Sequence, residues 1–341
     1  MRRILFAFVI IGLSILGWVG FAYYESYNYT AKTTTRVVFP KGTGANEIAN
    51  QLEADELIRS ALFFKLYLRL TEQGQKLQAG EFEIAAGSRM ADIVNLLVSG
   101  KTITYAFTIP EGFTIADVCH KLAKQNFMTL PTCEALVRDP SFLKDPASAT
   151  TLEGYLFPET YLFDKLTTPP QMIAAMVAEF YKHVTEDILQ QIRARGLTLH
   201  RWVTFASLVE KETGVGYERP LIAGVFYNRL KVGMLLQTDP AVIYGIKNFD
   251  GNLTRKQLET DTPYNTYTRN GLPIGPIANP GWDALKAVLQ PLDTEAYYFV
   301  AKGGGRHYFS QNLQQHNRAV QYYIFKNGVV PEPGEEEKIP R

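Results

Sequence analysis

The chain has 341 residues, 46% of them hydrophobic and 20% charged, with a formal net charge of +1 at pH 7. That composition excludes a largely disordered chain, and the near-zero charge with no basic block argues against nucleic acid as a partner. Five scattered histidines, His120, His183, His200, His307 and His316, show no metal-ligand spacing, so neither a metal nor another cofactor is expected.

The first element is a run of 21 uncharged residues, Ile4 to Tyr24. As a helix rising ~1.5 Å per residue it crosses a hydrocarbon core of roughly 30 Å. Arg2 and Arg3 precede it and Glu25 follows, so the positive-inside bias predicts a cytoplasmic end (1–3), a transmembrane helix (4–24), a linker (25–35) and an exported remainder. A cleaved signal peptide would have an apolar region of ~7 to 15 residues and a small-x-small site. Trp18, Phe21, Tyr23 and Tyr24 stand there instead and suit an interfacial belt. In an oxidising exported compartment Cys119 and Cys133 form either one disulfide or two buried thiols.

Next comes a pattern at fixed offsets, starting at Phe39, Phe82 and Phe107. Each copy has a glycine (Gly42, Gly87, Gly112), an acid five residues on (Glu47, Asp92, Asp117) and a leucine five later (Leu52, Leu97, Leu122). This predicts strand, glycine turn and helix, with aliphatics at helical spacing packed on the strand. The first two copies resemble LysM-type modules, which bind N-acetylglucosamine-containing glycans, and predict a LysM-like α/β domain over 36–101.

From Thr102 to Val329 the composition shifts toward Tyr, Asn, Gly and Pro between helical stretches, which marks a mixed α+β working domain (102–329). Met172 to Arg195 reads as one amphipathic helix ended by Gly196 and His200 to Thr213 as another; a short helix around Pro220 to Leu230 follows, then long irregular loops. The acidic, Pro-rich residues 330–341 read as a disordered tail. The predicted class is α+β.

Two acids stand close in RWVTFASLVEKETG. Trp202, Phe205, Val209 and Glu212 follow one helical stripe, whereas Glu210 points elsewhere, so only one acid can enter a given cleft. Glu212 falls on the apolar stripe, where desolvation raises a carboxyl pKa and favours a proton donor. The plain alternative is a glutamate at a helix end, solvated or paired with Arg219 or Arg229. Three later stretches, from Leu235, Thr262 and Tyr297, mix amides and hydroxyls with aromatic rings, as sugar binding requires.

The segments LEGYLFPETY, SLVEKET, ERPLIAGVFYNRL, LQTDPAVIYG, YNTYTRNGLPIGPIANPG and HYFSQNLQQHN resemble, in order across most of the chain, the endolytic murein transglycosylases of the MltG (YceG-like) family. The resemblance implies a lytic transglycosylase that cuts nascent peptidoglycan strands internally and terminates their synthesis, tied by one span to the bacterial inner membrane. Its catalytic glutamate falls on Glu212, in agreement with the helical-stripe argument. Gln237, Asp239, Tyr264, Asn265 and Tyr267 are expected to hold sugars, Glu153 and Glu159 to support the site, and peptidoglycan synthases (penicillin-binding proteins) are candidate partners. Two rival readings are a lysozyme-like hydrolase using Glu212 with Asp239 or Glu159, and a non-catalytic tether that binds peptidoglycan.

Overall fold

The computed structural model describes residues 2–338, so Met1 of the expected cytoplasmic end and the last three residues of the expected tail lie outside it. Helix α1 (Arg2–Asn28) contains the apolar span, Leu5–Asn28, with a mean hydropathy of 2.4 and none of its most apolar window covered by the rest of the chain. It is long and apolar enough to cross a membrane. The expected linker is not free chain. The helix runs on to Asn28, Glu25 pairs with Arg59 at 2.5 Å, and the Ala31 amide donates to the Ser88 carbonyl at 2.9 Å.

The chain divides into two compact units, residues 1–106 with 162–168, and residues 107–161 with 169–341. The first unit runs past residue 101 to Ala106 and takes in a segment from the middle of the second. Beyond α1, the first unit contains β1 (Thr35–Phe39), α2 (Ala45–Ala54), α3 (Ala61–Leu70), β2 (Gly80–Ile84) and α4 (Met90–Ser99). β1 and β2 pair antiparallel, from Thr35 opposite Ile84 to Phe39 opposite Gly80. Phe39, Leu52, Phe64, Phe82 and Leu97 meet in its core, each fully buried.

The repeated glycine and acid have distinct tasks. Gly42, Gly87 and Gly112 all take positive φ (90°, 87° and 76°), which a side chain would strain. The acid five residues on reaches back to the backbone amide that opens its helix. Glu47 accepts from Gly44 at 3.3 Å, Asp92 from Arg89 at 2.9 Å and Asp117 from Thr114 at 2.9 Å. The repeat is therefore a turn followed by half or all of a capping box.

The third copy supplies β3 (Tyr105–Thr108) and α5 (Ile115–Lys124), and α5 is joined to α6 (Leu130–Val137) by the Cys119–Cys133 disulfide. β4 (Thr160–Phe163) pairs with β3. Then come α7 (Pro169–His183) and α8 (Glu186–Ala194). One helix was expected here, but Thr185 breaks it. Its hydroxyl accepts from the Ile188 amide, and Glu186 and Asp187 follow in the first turn, so the helix restarts.

At the centre of the second unit is α9 (Leu199–Glu212), with every residue from Trp202 to Val209 buried. Phe205 packs on Phe226 of α10 (Arg219–Lys231), and Trp202 donates its indole N–H to the Leu285 carbonyl of α13 (Trp282–Leu289) at 2.9 Å. Between α10 and α13 lie the short helices α11 (Asp239–Tyr244) and α12 (Arg255–Glu259). The expected irregular loops thus hold three helices, a β-hairpin of β5 (Tyr298–Gly303) and β6 (Arg306–Ser310), and α14 (Leu313–Tyr323). Within the stretch expected to be a disordered tail, Glu335–Lys338 makes one 3-10 turn and Glu336 binds Lys302 at 2.6 Å and the Phe309 amide at 3.0 Å.

Candidate active site

The two acids of α9 part company as their helical spacing requires. The Glu210 side chain is 5% exposed and fully engaged, binding Arg219 at 2.9 Å and the Gly281 amide at 3.0 Å. It fastens α9 to the start of α10 and α13. Glu212, on the last turn, lines a cavity of about 330 Å3 with Arg229, Gln237, Asp239, Tyr267, Tyr298, Phe299, Leu313 and His316. Among the described residues no group donates a hydrogen bond to its carboxyl.

Burial pushes the Glu212 pKa up to about 8, the Asp239 charge adds to the rise and Arg229 opposes it. The C-terminal end of α9, where carbonyl dipoles are unpaired, also disfavours a negative charge there. Glu212 is thus an unpartnered carboxylic acid near neutral pH, facing open volume.

Its surroundings are tied by hydrogen bonds. Arg229 is buried, and its guanidinium donates to the carbonyls of Tyr297 (2.6 Å), Leu236 (2.7 Å) and Leu235 (3.4 Å) while lying 5.5 Å from the Tyr298 ring centroid. These bonds fix a cation on the cavity wall. Tyr267 donates its hydroxyl to Asp239 at 2.5 Å. The Gln237 amide donates to the Thr266 carbonyl at 3.1 Å, and the Thr238 amide to the Thr266 hydroxyl at 2.9 Å, so the segments before α11 and after residue 264 are tied side by side. Gln237 itself has φ +51°, a conformation costing a side-chain-bearing residue ~1 kcal/mol or more. The strain is held at the turn that brings Gln237 to the cavity wall.

Of the residues expected to act, Glu212, Gln237, Asp239 and Tyr267 share the cavity, and four do not line it. Asn265 is 1% exposed, and its amide nitrogen is spent on the carbonyls of Thr260, Leu258 and Gln257, while its oxygen accepts from the Tyr267 amide. It shapes the loop that carries Tyr267. Tyr264 packs edge-on against Tyr244 at 4.8 Å. Glu153, buried with its pKa pushed up to about 8 by desolvation, accepts from the Ile115 amide at 3.1 Å and from Tyr244 at 2.9 Å, bracing α11 from behind. Glu159 is exposed, and its carboxyl accepts from the amide of Thr160.

Arg229, Tyr298, Phe299, Leu313 and His316 were missed as wall residues. Arg229 lies in the last turn of α10, where nothing local separates a cavity-facing arginine from a solvated one. The hairpin and α14 were visible only as amide-rich and aromatic composition. Glu218, also unremarked, is fully buried and accepts from His307 through ring nitrogen (2.8 Å) and amide (3.1 Å), and from Thr213 at 3.4 Å. It ties the residue after Glu212 to the hairpin bearing Tyr298 and Phe299.

The YceG-like family model matches residues 37–322. The chain is 34% identical over 318 residues to the endolytic murein transglycosylase of Bacillus subtilis, covering 88% of each. It is 30% identical to the endolytic murein transglycosylase of Streptococcus pneumoniae serotype 2, covering 93% of this chain and 65% of that one. A crystal structure of a YceG-like protein from Listeria monocytogenes superposes with a TM-score of 0.57 at 32% identity, over 83% of this chain and 98% of the other.

Proposed function

The chain belongs to the YceG-like family, and from that premise we propose that it is a membrane-anchored endolytic murein transglycosylase in which Glu212 is the sole acid–base group. One observation carries the assignment to Glu212: an unpartnered carboxyl on the cavity wall with its pKa pushed up to about 8. Glu212 protonates the glycosidic oxygen between N-acetylmuramic acid and N-acetylglucosamine, and the bond to C1 breaks. The resulting carboxylate, with the Arg229 cation on the same wall, then takes the proton from the muramyl C6 hydroxyl as that oxygen closes on C1. The products are a free hydroxyl on one sugar and a 1,6-anhydro ring on the other. No water enters, so one carboxyl suffices, whereas ordinary glycosidases need two. Gln237 and Tyr267 are placed to bind sugar hydroxyls or acetamido groups, and the Tyr298 and Phe299 rings to cover apolar sugar faces.

Asp239 on the same wall favours a second reading, hydrolysis with Asp239 as the second carboxylate. Mass spectrometry of the products from purified strands separates the two. Ends lighter by one water support the transglycosylase, and reducing ends refute it. If Glu212→Gln cuts strands as fast as the unmodified protein, the assignment of Glu212 fails.

The span in α1 holds this site within reach of the inner membrane, with the bulk of the chain outside the cytoplasm, and directs it to nascent strands beside the synthases that make them. The order β1, α2, α3, β2 with an antiparallel strand pair supports reading the first unit as LysM-like. Replacing residues 1–24 with a cleavable signal should leave cutting of purified strands intact and weaken cellular function; unchanged cellular function argues against a role for the anchor in substrate choice.

A further inference from the structure

The cavity around Glu212 is small for an enzyme that cuts inside a polymer. Its volume of about 330 Å3 lies near the bottom of the ~300–1,000 Å3 range of ligand sites, yet a strand cut internally must continue out of it in both directions. A second groove, of about 1010 Å3, begins where the first ends, because Leu313 lines both.

One wall of this groove is a stripe of α14, Gln314, Asn317, Arg318 and Gln321, at the i, i+3, i+4, i+7 spacing that places side chains on a single helical face. The other wall is the irregular strap from Gly328 to Glu332. The Asn327 amide donates to the Gln321 carbonyl at 2.9 Å, where the chain turns from α14 into the strap. Among the described residues none of the four α14 side chains has a hydrogen bond or ion pair. Facing them, Val329 and Val330 are 85% and 65% exposed. Unengaged amides opposite exposed aliphatic surface match an N-acetylated sugar, which offers hydroxyl and acetamido partners and apolar ring faces. The strap lies past residue 322, outside the segment that the family model matches.

We propose that this groove is a distal saccharide subsite, which takes N-acetylated sugar units of the same glycan strand whose scissile bond lies at Glu212. The proposal rests on the activity argued above. It identifies the ligand as strand continuing past Leu313, and predicts affinity that rises with strand length.

The test uses the full chain in detergent with Glu212→Gln in place, so that strands stay intact, and compares it with the same protein carrying Asn317→Ala and Gln321→Ala. Peptide-free strands and a short oligosaccharide of the same sugars are titrated calorimetrically. Loss of two neutral hydrogen bonds should weaken binding of long strands about tenfold and leave the short oligosaccharide unaffected. Equal affinity of the two proteins for long strands, or an equal loss for the short oligosaccharide, overturns the subsite. Cleavage of the same strands by the unmodified protein is measured in parallel. If cleavage is absent but the length-dependent loss is present, the Glu212 reading fails and the subsite stands. If the Glu212→Gln protein binds no strand at all, both fail.

Discussion

A carboxyl that titrates near 4.5 would be protonated in about 0.3% of molecules at pH 7, and one that titrates near 8 in about 90%. Moving Glu212 between those values therefore changes the fraction of enzyme able to donate a proton about 300-fold. The acid form is required, so kcat/KM should be flat from pH 6 to 7, fall to half near pH 8 and then drop about tenfold per unit. Asp239 raises the Glu212 pKa, so Asp239→Asn, which keeps an oxygen to accept from Tyr267, should move this alkaline limb to lower pH. The assay is the initial rate of anhydro-end formation on purified strands, across pH, for both proteins. A limb below about pH 6 in the unmodified protein, or a limb that moves to higher pH in Asp239→Asn, would refute the electrostatic account of the site.

Other expectations are more local. Glu212→Gln should lower kcat by about 10²- to 10⁴-fold with little change in strand affinity; a loss under tenfold would argue against general acid catalysis here. Breaking the Cys119–Cys133 link, 14 residues apart, should cost about 3 kcal/mol, visible as a lower denaturant midpoint on reduction, and an unmoved midpoint would contradict this. Gly154 has φ +87°, and a Cβ there would lie 2.6 Å from Val203 Cγ1 and 2.7 Å from Pro276 Cβ. Gly154→Ala should then cost about 2–4 kcal/mol, against about 1–2 for Gly196→Ala, where φ is +69° and nothing lies within 4 Å. Equal melting temperatures for the two variants would sink the packing argument.

What the chain revealed before folding follows the range of each interaction. Glu212 and Glu210 could be told apart because they lie on one helix, and a helix fixes the relative direction of its own side chains. The strand, turn and helix repeat was likewise local. Its acids were visible as a pattern, but their capping bonds are a matter of atoms, not of spacing. The break at Thr185 was hidden because apolar periodicity continues through it, although Thr-Glu-Asp is a start signal. Asn265 and Tyr264 were assigned to sugar from composition alone, and composition does not say whether an amide faces a cavity or its own loop. Arg229 and His316 reach the site from helices separated by more than 80 residues of chain, and only the fold brings them together.

The segment from Leu162 to Thr168 belongs to the first unit although it is written inside the second. Glu81, 1% exposed at its side chain, has its charge met by Lys165 at 2.5 Å, a residue in that segment. During synthesis from the amino terminus, the first unit therefore cannot complete its charge pairing until residues 107–161 have also emerged. For the same reason, a protein cut cleanly after Ala106 would leave Glu81 buried without its cation. It would also leave Lys165 stranded on the other fragment, so the first unit cannot be manufactured apart from the chain of the second.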